Sequence, residues 1–164
     1  MALTTEELIA SLQNEVRILL HLAGKIDRAQ LDYRPTAKQR STIELLRYLS
    51  IMGPGLVNAI KTGSFDGEAW GKAVAAAAEK DLDAILADIG AQPEMYAKEL
   101  PGIDLAVEMD LFGRKHSLGY HTVNLVLSGH AAYRTQLFLY LKACGREELS
   151  TYNLWGGMDA PPQA

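Results

Sequence analysis

The chain has 164 residues and a formal net charge of −4, and its 16 lysines and arginines are scattered along it. This charge pattern excludes the basic face that nucleic acid or an anionic membrane would require. The length is that of one ordinary domain, so we predict a single domain over residues 1–164. No apolar run approaches the roughly 20 residues that span a bilayer, and the opening residues lack the blocks of a signal peptide, so we expect a soluble, cytoplasmic protein.

The first predicted helix begins with a capping box. Thr4 is followed three residues later by Glu7, the spacing at which two such residues cap each other's backbone N–H groups. Apolar residues then recur at helical spacing over residues 8–26. The polar segment 27–40 contains Pro35, which disfavours helix at the residue before it, so we predict an irregular loop there.

The second predicted helix also begins with a capping box, formed by Ser41 and Glu44. Its apolar positions continue to residues 53–55, where the sequence reads Gly-Pro-Gly. Proline lacks a backbone N–H group and clashes with the preceding turn, so we expect the helix to be interrupted and kinked there. The helix is then expected to resume and to end at Gly63.

Residues 64–72 are rich in turn-forming residues and predict a connection. The alanine run that follows leads into a third helix, whose apolar positions lie in residues 82–89. This helix either ends at Gly90 and Pro93 or continues for two further turns before residues 101–102.

Residues 103–111 alternate between apolar and polar side chains, which is the periodicity of a β-strand. A single strand cannot form a sheet. The segment is therefore either an extended crossover laid on the helices or an edge that pairs with a short partner, for which a second subunit is one source.

The last predicted helix starts near Ser117 and ends at Gly145. Its apolar stripe, with steps of three and four residues, is expected to face the core. The stripe consists of Val123, Val126, His130, Tyr133, Leu137, Tyr140 and Cys144. The tail 146–164 has no periodicity, and we expect Leu154 and Trp155 to dock on the helices.

Together these elements predict an all-α protein. Four helices with long crossover connections pack most economically as an antiparallel four-helix bundle, which would span about residues 4–145. Ligand sites in such bundles lie between the helices and are built from inward-facing side chains. The inner stripes are therefore the places where a site is expected.

Only one of the four histidines is predicted to face the interior. His21 falls on the polar side of the first helix and is expected at the surface. On a helix, His116 and His121 are about 140° apart, and His121 lies nearly opposite His130. The histidines are therefore not expected to converge on a metal ion.

His130 has two interpretations. In the first it is a core residue that is hydrogen-bonded to a phenol, with Tyr48 and Tyr133 as the candidates. In the second it joins the same two tyrosines and a water molecule around a weakly bound metal. The acidic residues of the third helix lie off its apolar stripe, and Cys144 is interpreted as a buried filler, so neither supplies further ligands.

Two segments carry a resemblance to a known family. Residues 31–49, LDYRPTAKQRSTIELLRYL, resemble the start of the second helix in the DinB/YfiT-like superfamily, and residues 133–145, YRTQLFLYLKACG, are similar to its last helix. The resemblance implies an antiparallel four-helix bundle, usually dimeric, in which many members bind a divalent metal through three histidines. Some relatives use that metal to activate a low-molecular-weight thiol, or for isomerase or hydrolase chemistry.

Carried over residue by residue, the three ligand positions of the family fall on Tyr48, Gly129 and Tyr133, none of which is a histidine. His130 lies one residue past Gly129, about 100° around the helix. The resemblance therefore implies a variant that lacks the usual triad of metal-binding histidines.

From this resemblance we predict a metal-free or weakly metal-binding bundle that acts as a small-molecule-binding or structural domain, assembled as a homodimer. The candidate pocket between the helices comprises Tyr48, His130, Tyr133, Arg134 and Gln136. The alternative is a metal-dependent thiol S-transferase or hydrolase of the DinB/YfiT type, in which His130 binds zinc or nickel or acts as a general base.

Overall fold

The computed structural model describes residues 3–161, which are mainly helical, as predicted. This part of the chain contains six α-helices and one β-hairpin, where the sequence predicted four helices and a strand. The elements are α1 (Thr5–Ala23), α2 (Thr42–Thr62), α3 (Gly67–Ala78), α4 (Leu82–Glu99), β1 (Glu108–Leu111), β2 (Arg114–Ser117), α5 (Leu118–His121) and α6 (Ser128–Ala143). The core lies where α1 packs against α4 and α6, and where α2 packs against α3, α4 and α6.

Both predicted capping boxes are present. At α1 the Thr4 hydroxyl accepts the Glu7 N–H at 3.1 Å, and the Glu7 carboxylate accepts the Thr4 N–H at 2.8 Å. At α2 the Ser41 hydroxyl and the Glu44 carboxylate make the same exchange, at 3.4 and 2.7 Å. The left-handed φ of 80° at Gly63 ends α2 at the predicted residue.

The predicted interruption of α2 is wrong, because the helix continues through Pro54 to Thr62. Proline has no N–H group to donate to the carbonyl of Ser50, four residues earlier. The side chain of Gln92 on α4 donates to that carbonyl at 3.2 Å and to the Leu49 carbonyl at 2.9 Å. The neighbouring helix therefore satisfies the backbone group that the proline leaves without a helical partner.

The predicted connection at residues 64–72 is also partly helical, since α3 begins at Gly67. The Asp66 carboxylate caps α3 by accepting the Ala69 N–H at 2.9 Å, which is a start signal within the turn-rich stretch. The third predicted helix corresponds to α4, which passes Pro93 and ends at Glu99. Of its two predicted ends, the later one is therefore correct.

The strand predicted at residues 103–111 is confined to β1, which pairs antiparallel with β2 of the same chain. The partner strand is thus the adjacent one in sequence. Phe112 and Gly113 form the tight turn between them with φ values of 56° and 74°. Among the described residues, Phe112 is the one non-glycine residue with a positive φ. This backbone conformation is strained for a residue with a bulky side chain.

The last helix starts where it was predicted, with the Ser117 hydroxyl accepting the Tyr120 N–H at 3.2 Å. A π-helical segment, Thr122–Leu127, joins α5 directly to α6. Each π-helical turn takes up more than the usual 3.6 residues and so rotates the residues that follow. Angles measured along an ideal α-helix therefore misplace His121 relative to His130, and both are buried.

The tail packs on α1 largely through polar contacts. The Arg17 guanidinium donates to the carbonyls of residues 156–157 at 2.9 and 3.1 Å. Leu154 is half-buried, but Trp155 is 71% exposed, so the predicted docking of Trp155 is wrong. The last predicted tail residues, 162–164, lie outside the described residues. None of the helices within residues 3–161 combines the length and the apolar composition that a membrane span requires.

Candidate functional site

His130 is fully buried and is hydrogen-bonded to a phenol, but neither predicted tyrosine is its partner. Its Nε2 atom lies 2.7 Å from the Oη atom of Tyr96 on α4. The same Oη atom lies 3.1 Å from Oε1 of Gln92, which binds the carbonyls of α2. Three polar side chains thus form a buried network between α2, α4 and α6.

The hydrogen bonds of this network favour one protonation state. If the Tyr96 hydroxyl donates to Gln92 Oε1, then His130 Nε2 carries the proton and donates to Tyr96. His130 Nδ1, which has no hydrogen-bond partner in the described structure, is then an acceptor and not a stranded N–H donor. Burial lowers the pKa of His130 to about 4 and raises that of Tyr96, so the network is uncharged at neutral pH.

A glycine makes room for this network. A Cβ atom added to Gly53 would lie 2.7 Å from Gln92 Oε1 and would overlap the Tyr96 hydroxyl. The chain therefore needs glycine here for the close approach of α4 to α2. Sequence reasoning missed Tyr96, although a mid-helix glycine and polar residues four apart on α4 were available as signals.

Tyr48 and Tyr133 are brought together as a separate aromatic pair, with ring centroids 4.9 Å apart. Burial, and next the adjacent Tyr133 hydroxyl, raise the pKa of Tyr48 to about 12. The guanidinium of Arg40 lies 4.2 Å from the centroid of the Tyr48 ring. The space beside Gly129 is filled by Met52, whose Sδ would lie 2.9 Å from an added Cβ.

The residues at these positions do not fit a divalent metal. Gly129 has no ligand atom, and a phenol must lose its proton to bind zinc well, which the raised pKa of Tyr48 opposes. Among residues 3–161 no three histidine, cysteine, aspartate or glutamate side chains lie close enough together to hold a metal ion.

Arg134 and Gln136 have structural surroundings of their own. The buried Arg134 guanidinium pairs with both carboxylate oxygens of Glu15, at 2.5 and 3.2 Å, and donates to the Leu154 carbonyl in the tail. Gln136 donates to the Tyr140 hydroxyl. The structure thus divides the five predicted pocket residues among an aromatic pair, a buried network, an ion pair and an amide–phenol contact.

The other histidines also differ from expectation. The ring centroids of His116 and His121 lie 6.2 Å apart. His121 is buried, and its Nε2 atom lies 3.1 Å from the Met109 carbonyl oxygen. His21 was predicted to be solvated, but the tail covers it, with Asn153 Nδ2 3.1 Å from its Nε2. His130 is therefore not alone in facing inward, because His121 is also buried.

A groove opens beside Tyr48, between α2 and α3, with a volume of about 360 Å³. A second groove of about 290 Å³ adjoins it, and the two share Ile51 and Trp70. The first groove is lined by Arg40, Glu44, Arg47, Tyr48, Ile51, Trp70, Val74, Ala77 and Ala78. Its surface is mostly apolar, with charged side chains on one side.

Five aromatic rings follow one another in a row, of which Phe65, Trp70 and Tyr48 line the two grooves. Starting from the hairpin, the centroid distances are 5.2 Å from Phe112 to Phe65 and 5.5 Å from Phe65 to Trp70. Trp70 lies 6.0 Å from Tyr48, which contacts Tyr133. We call these five residues the aromatic row. It connects the hairpin turn to α6 across both grooves.

The comparisons with known proteins identify the fold. Family models and curated proteins give no match to the chain. The crystal structure of a DinB-like protein from Bacillus subtilis, YjoA, matches with a TM-score of 0.66 at 21% identity, over 89% of this chain and 96% of that chain. The chain has a DinB-like fold.

Within this DinB-like fold, sequence reasoning found Tyr48 and its neighbour Tyr133 but missed the other residues of the groove. Trp70 lies in a stretch that was predicted as a connection. Arg40 was placed in an irregular loop and given no role. An aromatic residue within an alanine-rich amphipathic segment was the available signal for a helix that covers a groove.

Proposed function

We propose that the protein binds a small organic molecule in the groove between α2 and α3. The observation that carries the proposal is the pair Tyr48 and Trp70 of the aromatic row, which gives the groove a mostly apolar surface that remains open to solvent. The groove volume of about 360 Å³ falls in the range of about 300–1,000 Å³ that is typical of ligand pockets.

The packing of α3 supports this proposal. The helix consists largely of alanine, packs chiefly on α2, and has Ala77 as its buried residue. Val74, on the groove side, is 45% exposed. A ligand that covered Val74 and Trp70 would bury apolar surface that the described structure leaves in water.

We further propose that binding needs no divalent metal at Tyr48, Gly129 and Tyr133. The donor set there supports this proposal, because it offers two phenols and no histidine or carboxylate. The thiol-transfer and hydrolase alternatives depend on zinc or nickel at these positions. No contact of the described residues favours those alternatives over simple binding.

The finer architecture is also a proposal. We propose that α1, α2, α4 and the helix over residues 118–143 form an antiparallel four-helix bundle. The contacts of α1 and α2 with both α4 and α6 support this arrangement. A cytoplasmic homodimer remains our expectation, and light scattering of the purified protein tests its mass.

The binding proposal is tested with the neutral fluorescent probe N-phenylnaphthylamine. Ala78→Trp places a bulky ring in the groove, whereas Ala76→Trp makes the same change at an exposed position of α3 that lines neither groove. We expect Ala78→Trp to weaken probe binding about tenfold or more and Ala76→Trp to leave it unchanged. Equal affinities in the two variants would overturn the proposal.

The metal proposal is tested by measuring zinc and nickel in untagged protein that is purified without chelator. We expect far less than one ion per chain and unchanged probe binding in a chelator. Near-stoichiometric metal that is lost in Tyr48→Phe or His130→Ala would contradict the metal-free site.

A further inference from the structure

We infer that the ligand of the groove is an organic anion, with a flat apolar body and a single carboxylate-type group that binds Arg40. This inference rests on the proposed binding function and adds the chemical class of the ligand. It depends on how the charged side chains around the groove are already engaged.

Arg40 is the cation that is left available. Its side chain is exposed and lies against the Tyr48 ring, and in residues 3–161 no carboxylate lies within ion-pair distance of it. Its backbone is held by the Tyr140 hydroxyl, which donates to the Arg40 carbonyl at 2.8 Å. A guanidinium stacked on a ring keeps the N–H groups along its edge free to bind a carboxylate in a bidentate manner.

The other charged residues of the first groove are engaged elsewhere. Arg47 donates to the Lys80 carbonyl at 2.8 and 3.3 Å, so it adds positive charge but has fewer free donors. The Glu44 carboxylate accepts the Ser41 N–H and pairs with Arg34 at 3.2 Å. The field at this end of the groove therefore favours an anion.

The second groove does not favour an anion. It continues along the same wall through Ile51 and Trp70, and its far side includes Asn58 and Asp66. The Asp66 carboxylate caps α3 and disfavours a second anionic group there. A ligand with one anionic end at Arg40 and an uncharged apolar body along Trp70 matches both grooves.

The test compares naphthylacetate with naphthylacetamide, which have the same rings but differ in charge. Binding is measured by titration calorimetry at neutral pH and low salt with the full chain. We expect the carboxylate to bind about five- to tenfold more tightly than the amide. Arg40→Gln should remove this preference, so that the two probes bind with similar affinities, and Arg40→Lys should restore part of it.

Lys98→Gln is the matched control, because it also removes one positive charge from an exposed side chain but lies on α4 and lines neither groove. It should keep the full preference. Equal binding of both probes, or an unchanged preference in Arg40→Gln, would overturn the anion inference while leaving small-molecule binding intact. Failure of both probes to bind would overturn the proposed function itself.

Discussion

The buried network and the groove both lie against α2, but their side chains are engaged in different ways. In the network, His130 and Tyr96 are fully buried, and among the described residues only the Nδ1 atom of His130 is a buried side-chain polar atom without a hydrogen-bond partner. In the groove, Tyr48 and Trp70 are half-buried and Arg40 has no ion pair within the described chain. The histidine therefore contributes to stability, whereas the side chains that are free to bind a further partner lie at the groove.

The strongest test of this division is Gly53→Ala. The added Cβ would overlap the Tyr96 hydroxyl, which cannot move without breaking its hydrogen bonds to Gln92 and His130. We expect the free energy of unfolding to fall by about 3 kcal/mol. Urea denaturation measures this change.

Gly71→Ala is the matched control for Gly53→Ala, because a Cβ there meets nothing within 4 Å. In the interior of α3, alanine should raise the free energy of unfolding by about 0.5–1 kcal/mol. A similar effect at both glycines would show that α4 does not need its close approach to α2.

Acid should weaken the buried network. Burial lowers the pKa of His130 from 6.5 to about 4 in the folded protein, so the unfolded chain binds more protons between these values. Stability should therefore fall as the pH is lowered from about 6.5 towards 4, by on the order of 2–3 kcal/mol from this residue.

Urea midpoints at pH 7 and pH 4.5 measure this loss, with His130→Gln as the reference, since it cannot titrate. The variant should be less stable at pH 7 but should lose less on acidification than the parent protein. Parallel losses in the two proteins would place the acid sensitivity at other groups.

A smaller effect is expected from removing one hydroxyl. Tyr96→Phe leaves His130 Nε2 and Gln92 Oε1 without their shared partner in the core, which should cost about 1–3 kcal/mol. Tyr48→Phe removes a hydroxyl from a half-buried ring and should cost less. Chemical denaturation of the two variants ranks them, and a larger loss at Tyr48 would reverse the roles assigned to the two sites.

The sequence predicted those parts of the fold that local rules govern. Thr4 with Glu7, and the start at Ser117, depend on hydrogen bonds between residues close in the chain, and they were predicted correctly. The course of α2 through Pro54 was not, because it depends on Gln92 from another helix. Local propensity has no access to a donor that comes from a distant part of the chain.

The candidate site shows the same limit. Tyr133 was predicted on the inner stripe of the last helix and Tyr48 was singled out by the family resemblance, and the two rings are in contact. The Tyr96 partner of His130 was missed, because it depends on how α4 packs. The π-helical segment Thr122–Leu127 also rotates the last helix, which defeats angles counted from an ideal α-helix. Side-chain pairs between helices were therefore predictable only in part.

The smallest expected effect concerns the hairpin end of the aromatic row. Phe112 has a φ of 56° in the turn, where asparagine followed by Gly113 is far better suited. Since Phe112 is 56% exposed and contacts Phe65 only at the edge of the groove, Phe112→Asn should raise the free energy of unfolding by about 0.5 kcal/mol. Thermal melts measure this gain, and titration of the same variant with N-phenylnaphthylamine measures whether the Phe112 ring contributes to binding.

If binding weakens while stability rises, the Phe112 ring extends the binding surface and lowers the stability of the fold. If stability falls instead, the contact with Phe65 outweighs the strain, and the hairpin end of the row resembles the buried network more than the groove.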